Sequence, residues 1–97
     1  MQTTITGLAF INAQEMREQN PRTFEAPTYE ELQALKIGDN VKVCLNDERF
    51  WTIIKNIEGD AITASVDNDL VLPANKSLTF GTLITFHKHH IYSTVVP

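Results

Sequence analysis

From Gly38 onward, apolar and polar residues alternate, and Gly, Asp and Asn interrupt the alternation every few positions. Because successive side chains of a strand point to opposite faces, this pattern predicts short β-strands joined by tight turns. The runs "NVKVCL" and "AITASV" each place their apolar residues on one face: Val41, Val43, Leu45, Ile62, Ala64 and Val66. With "RFWTIIKNI" and "LTFGTLITFHKHHIYSTVV", four or five strands result. We therefore expect a small, strongly curved antiparallel sheet or a closed small barrel.

The residues before Gly38 carry helix signals instead. Asn12 can cap the run "AQEMREQ", which is built from good helix formers, and Pro21 ends it. Thr28 and Glu31 form the capping-box pattern at the start of a second helix of about two turns, which Gly38 is placed to stop. Two short helices are therefore expected to cover the open side of the sheet.

A chain of 97 residues has the size of one domain. Residues 1–37 are predicted to be its mainly helical cover, and residues 38–97 its β portion, which together make an α+β fold. For the first residues, "TTITGLAF", the sequence leaves two readings open. The Thr and Ile content favours a strand, whereas Gly7 favours a bend.

The composition indicates where in the cell the protein is located. No apolar stretch approaches the roughly 18 residues that a membrane helix needs, and the first ten residues contain no Lys or Arg of a secretory signal. The single cysteine, Cys44, fits a reducing compartment and is interpreted as a small apolar strand residue. These features predict a cytoplasmic protein that does not interact with membranes.

The net charge of −4 and the absence of any basic run disfavour a general nucleic-acid binder. The sequence contains no nucleophile elbow, no phosphate-cradling glycine loop and no CxxC pair, so neither an enzymatic activity nor a cofactor is indicated.

The run "LKIGDNVKVCLNDERFW" followed by "IEGDAITASVDNDL" resembles the strand-turn rhythm of Src-homology-3-like small barrels. Together with "FG-LITFHKHHIY", these segments also resemble a group of small uncharacterised bacterial proteins, found on plasmids and phages too, which carry an ERFW strand and a VDND turn. The similarity spans about Phe24 to Tyr92. It implies the fold and a bacterial origin, and it implies no activity.

The aromatic residues of the stretch "DERFWTIIK" can either stabilise the fold or form a binding surface. On a regular strand, one face carries Phe50, Thr52 and Ile54, and the other carries Trp51, Ile53, Lys55 and Ile57. Either both aromatic residues are structural, with Trp51 under the N-terminal helix, or one of them is exposed beside Arg49 as a binding platform. The candidate binding residues are Arg49, Phe50, Trp51, Lys88 and Tyr92.

The segment "FHKHHIY" permits a metal hypothesis. His87 and His89 would project from the same face of a strand, and Asp67 or Asp69 of "VDNDL" would add a carboxylate. The alternative is a solvated strand end next to an Asp-Asn-Asp turn, with His90 pointing into the fold.

Three functions are therefore weighed. The preferred one is a noncatalytic binding or adaptor module that contacts another protein. The alternatives are single-stranded nucleic-acid binding through the aromatic strand and a metal-dependent hydrolase that uses His87 and His89. An uncovered edge strand near "LITFHK" would also allow pairing with a second copy.

Overall fold

The computed structural model describes residues 4–95 and confirms the α+β class, with a six-stranded sheet and two short α-helices. The strands are β1 (Thr4–Ile5), β2 (Asn40–Leu45), β3 (Glu48–Glu58), β4 (Ala61–Val66), β5 (Leu83–His87) and β6 (Ser93–Val95). The helices are α1 (Ala13–Gln19) and α2 (Tyr29–Gln33), and two 3-10 turns lie at Pro73–Asn75 and Lys88–His90.

The strand order is β1-β5-β4-β3-β2-β6, and the sheet is mixed. All neighbours pair antiparallel except β1, which runs parallel to β5. The prediction of a purely antiparallel sheet was wrong because this pairing joins residues nearly eighty positions apart, which local patterns do not reveal. With β1 and β6 at the two edges, the sheet is open, so a closed barrel is not confirmed.

The same pairing corrects the expectation of an uncovered edge near "LITFHK". β5 is an interior strand that pairs with β4 on one side, and its residues Leu83 and Ile84 pair with β1 on the other. β6 instead forms the edge beside β2.

Two tight hairpins fix the register of the central strands. Asn46 and Asp47 join β2 to β3 with φ angles of 52° and 67°, the backbone of a type I′ turn. Gly59, with a φ of 60°, opens the two-residue connection between β3 and β4. Because a one-residue slip would reverse every side chain, these turns decide which residues face the core.

A bulge at Lys55 divides β3 into two parts. Ile54 pairs with Ala64, but Asn56 already pairs with Thr63, so one residue of β3 is left over. Beyond this point the alternation reverses, and Ile57 packs partly buried against the core opposite Ile62. The expectation that Ile57 shares a face with Trp51 was therefore wrong.

The main core lies on the inner face of the sheet. It contains the predicted apolar residues of β2 and β4, joined by Phe50, Ile54, Ile84, Phe86, Leu32, Leu35, Phe10, Leu70, Leu78 and Ile91. On the outer face, a smaller cluster of Ala13, Cys44 and Tyr92 lies beneath α1. The two helices thus cover opposite faces of the sheet, so the expectation that both cover one open side was wrong.

The predicted N-terminal caps of both helices are confirmed. The Asn12 side chain accepts a hydrogen bond from the Glu15 N–H at 3.1 Å, and α1 ends before Pro21. Thr28 and Glu31 make both bonds of the capping box, at 3.2 and 3.1 Å. The expectation that α2 has about two turns and is stopped by Gly38 was wrong, because the helix spans five residues and Ala34 is already its C-cap.

Candidate functional site

Two cations lie over two aromatic rings on the outer face of the sheet. The Lys42 ammonium is 4.9 Å from the centroid of the Trp51 ring, and the Arg49 guanidinium is 5.0 Å from that of Tyr92. Lys42 pairs with Trp51 across β2 and β3, and Cys44 pairs with Arg49 in the adjacent row. We call Lys42, Arg49, Trp51 and Tyr92 the cation–aromatic face.

The hairpin between β2 and β3 explains why these side chains meet. Val41 and Phe50 belong to the inner set of each strand, so Lys42 and Trp51 must point outward. Opposed side chains on one face of an antiparallel pair are about 5 Å apart, which brings the ammonium within reach of the indole. Arrangements of this kind contribute roughly 0.5–1 kcal/mol each at exposed sites.

Tyr92 is the buried support of this face. Its side chain is 8% exposed, its ring packs edge-on against Phe24 at 5.0 Å, and its backbone N–H donates to the Lys42 carbonyl at 2.7 Å. Burial raises the pKa of the Tyr92 hydroxyl, and the adjacent Cys44 raises it further. Burial also raises the pKa of Cys44, so both groups stay protonated and uncharged beneath Arg49 at neutral pH.

The backbone of Trp51 is held on its other side by the segment that follows β4. The Asp67 N–H donates to the Trp51 carbonyl at 2.9 Å, and the Asn68 side-chain oxygen accepts from the Trp51 N–H. Asp67 also accepts a bond from the Asn40 amide at 3.4 Å. The VDND segment therefore extends the pairing of β4 with β3 and fixes the position of Trp51.

Exposure differs among these residues. Arg49 is exposed, Trp51 and Lys42 are partly buried, and α1 covers the neighbouring Cys44 rather than Trp51. The outer face continues over β4 and β5 as an open groove lined by Lys55, Ser65, Gly81 and Leu83. The cation–aromatic face is therefore accessible at its Arg49 and Trp51 side.

Two of the predicted binding residues lie elsewhere. Phe50 is 2% exposed on the inner face, where it belongs to the main core, so it cannot be part of a surface platform. Lys88 is 8% exposed in the second 3-10 turn, and its N–H donates to the Asp60 carbonyl at the end of β3 remote from Arg49. The structure brings together Arg49, Trp51 and Tyr92 of the five candidates.

The three histidines lie close together, but the aspartates are remote. His87 and His89 stack with centroids 5.2 Å apart, and His90 contacts both rings at 5.9 and 4.3 Å. His87 pairs with Ala61 at the start of β4, whereas Asp67 and Asp69 follow its end. Within residues 4–95, no group of three or more ligating side chains is placed to hold a metal ion. The predicted combination of histidines and aspartates is therefore not assembled.

His90 is bound into the fold, as the sequence suggested. Its Nδ1 accepts from the His87 N–H at 3.0 Å, and its ring lies 5.8 Å from that of Phe10. Burial, together with the smaller effect of the charges that His89 and His87 can carry, lowers the pKa of His90 to about 4.

Two polar groupings were not identified from the sequence. The first is the contact of Lys42 with the Trp51 ring. Its only signal in the sequence is that a two-residue hairpin at Asn46 and Asp47 places Lys42 opposite Trp51. The second joins Glu48 and the buried Asn75: Glu48 accepts from the Val71 and Leu72 N–H groups at 2.7 and 3.2 Å and from the Asn75 amide at 3.0 Å. These bonds lower the pKa of Glu48, with the Val71 contribution the largest. Nothing local in the sequence predicts this long-range anchor.

No family model, no curated protein and no solved structure matches this chain. Among the described residues, no helix is long and apolar enough to cross a membrane. Function is therefore inferred from the geometry of the surface.

Proposed function

We propose that the protein is a noncatalytic binding module that contacts another protein through the cation–aromatic face. The observation that carries this proposal is the pair of adjacent cation-over-ring contacts, with Arg49 and Trp51 left accessible on a face that α1 does not cover. Trp, Tyr and Arg are the residues that most often carry the binding energy of protein interfaces. A reducing, cytoplasmic location and a bacterial origin are part of the proposal.

The contacts favour a protein partner over single-stranded nucleic acid. Stacking of a base needs an open ring face, but Lys42 already lies over Trp51, and Tyr92 is buried beneath Arg49. The net charge of −4 also opposes a polyanion at long range. A carboxylate of a partner, by contrast, can bond to Arg49 and Lys42 without displacing either ring contact.

The partner surface that fits this face is acidic at its rim and apolar at its centre. Arg49 supplies a planar fork of donors for carboxylates, and the edge of Trp51 supplies apolar area. The groove over Ser65 and Leu83 extends the contact area across the sheet.

Affinity enrichment with charge-matched variants tests the proposal. The tagged protein, Arg49→Glu and the control Arg22→Glu are each used as bait in extract of the source cells, with and without nuclease. Arg22 is exposed outside the cation–aromatic face, so its reversal changes the net charge equally. We expect a partner that Arg49→Glu loses and that Arg22→Glu and nuclease treatment retain. Loss on nuclease treatment would favour nucleic acid, and equal recovery by all baits would contradict the proposed face.

A further inference from the structure

β6 is an edge strand with one side open. It pairs with β2 through Asn40 with Val95, Val41 with Thr94, and Lys42 with Ser93. In the part of the chain that the structure describes, no second strand lies against its other side. An open edge of this kind is a template on which an extended segment can pair.

A groove runs along this open edge. It is lined by Tyr92 and by Ser93 and Thr94 of β6, and also by Pro27, which precedes α2, and Glu31 within α2. Successive strand residues point to opposite faces, so a groove that both Ser93 and Thr94 line must follow the strand edge. The groove therefore presents backbone as well as side chains.

The wall opposite β6 does not close the edge. Pro27 has no N–H to donate, and its carbonyl is occupied by the Gln14 side-chain amide at 2.9 Å. This bond ties the wall to α1, and no backbone hydrogen bond joins residues 25–27 to β6 within the described chain. Residues 25–27 are therefore held away from β6, and the groove between them stays open.

The charge of the groove is acidic. Glu25 and Glu31 line it and are exposed, and its lining contains no Lys or Arg. The capping bond of Glu31 with Thr28 uses its Oε1. The nearby Lys36 is already 3.9 Å from Asp39, a residue of its own turn.

We propose that β6 is a docking edge for an extended segment of a partner protein that carries Lys or Arg side chains. The segment adds as a seventh strand, its backbone pairs with β6, and its cations reach Glu25 and Glu31. This occupant is favoured over a second copy of the chain, because pairing of two β6 edges would bring the carboxylates of both grooves together. The groove borders the cation–aromatic face, because Tyr92 lines it and lies beneath Arg49, but the pairing edge is β6, which lies on the side of β2 opposite to β3.

A synthetic peptide of eight alternating Thr and Lys residues, blocked at both ends, is the probe. It is titrated into the ¹⁵N-labelled protein, and amide shifts are followed by NMR. We expect saturable shifts in Ser93–Val95 and in residues 25–31, with slower hydrogen exchange of β6 amides. Absence of shifts up to about 5 mM peptide, or shifts confined to other surfaces, would overturn the proposal.

Two matched comparisons separate edge pairing from general charge attraction. Glu25→Gln with Glu31→Gln is expected to weaken binding about tenfold, because two exposed ion pairs are lost, while the amide introduced at position 31 still completes the capping box. Glu15→Gln with Glu18→Gln makes the same charge change on α1 and is expected to leave binding unchanged. Equal weakening by both pairs would overturn the site.

The backbone requirement is tested with the same peptide N-methylated at alternate residues. This change keeps the charge and removes donors from one edge of the peptide. We expect the analogue methylated on the pairing edge to lose binding, and retention by both alternate methylation patterns would overturn strand addition. Sedimentation without peptide tests the other occupant. Concentration-dependent self-association through β6 would show that the edge binds a second copy of the chain and not a basic segment.

Discussion

The side-chain oxygen of Asn68 accepts a hydrogen bond from the backbone N–H of Trp51, while the Trp51 carbonyl accepts from Asp67. The ERFW and VDND segments, seventeen residues apart in this pair, are thus one structural unit. Asn68 takes the place of a strand backbone where β4 has already ended at Val66. Its role is to hold the residue at the centre of the cation–aromatic face.

Asn68→Ala is expected to lower the free energy of unfolding by about 1–2 kcal/mol, because a partly buried backbone N–H loses its acceptor. Asn68→Asp keeps an acceptor oxygen and should lose less. Urea denaturation measures both, with Asn56→Ala as the control, since Asn56 is exposed and bonds only weakly to Glu58 at 3.3 Å. Equal stability of Asn68→Ala and Asn56→Ala would contradict this role.

The two aromatic residues of "DERFWTIIK" are expected to separate into scaffold and surface. Phe50→Ala removes a core ring that is 2% exposed and should destabilise the fold by about 3–5 kcal/mol. Trp51→Ala removes a partly buried ring outside the main core and should cost about 1–2 kcal/mol. Thermal and urea unfolding of both variants check the order, and a larger loss for Trp51→Ala would contradict the assignment of faces.

Glu48 gives a second measurable signature, in the acid range. Its pKa in the folded protein is lowered from 4.5 by the Val71 and Asn75 bonds, so the folded state favours the ionised carboxylate. This contribution is fully present above about pH 4.5 and is lost as the pH falls through the folded-state pKa. The difference in unfolding free energy between the wild type and Glu48→Gln should therefore shrink on acidification. A difference that is constant from pH 7 to pH 3 would contradict the anchor.

His90 should make the free energy of unfolding depend on pH in a higher pH range than Glu48 does. Its pKa is lowered to about 4 in the folded protein from an ordinary value of 6.5, so the unfolded chain binds the proton more readily between these values. The contribution of His90 to the free energy of unfolding is therefore fully present above about pH 6.5 and is lost as the pH decreases toward 4. The loss is at most about 3 kcal/mol, and the partial exposure of His90 to solvent makes it smaller.

His90→Asn tests this window, because Asn keeps an acceptor for the His87 N–H and does not titrate. The variant should flatten the stability profile between pH 6.5 and 4, as followed by urea unfolding at each pH. His89→Asn is the comparison, and it should preserve most of the slope. An unchanged slope in His90→Asn would show that another group is responsible.

Much of the fold follows from local sequence rules. The caps at Asn12 and Thr28 depend on contacts within three residues, and the alternation of β2 and β4 is set by one buried face. Capping and alternation are physical rules that act over short stretches, so they can be applied to the sequence alone.

The remaining features depend on distant partners. Residues 4–5 join β5, the bulge at Lys55 turns Ile57 inward, and Asn75 reaches Glu48 across 27 positions. The candidate site shows the same difference. Arg49 and Trp51 could be predicted from their residue types, whereas the burial of Lys88 could be seen only in the three-dimensional structure.

The central claim, that the cation–aromatic face meets a protein partner, is tested most directly by a photo-crosslinking amino acid placed at position 55 in living cells. Position 55 is exposed in the groove that continues this face and leaves Arg49 in place, and the same amino acid at position 18, exposed on α1, is the control. We predict a discrete protein adduct from position 55 that resists nuclease, is lost when Arg49→Glu is added, and is absent from position 18. No adduct at position 55, or the same adducts from both positions, would contradict the claim.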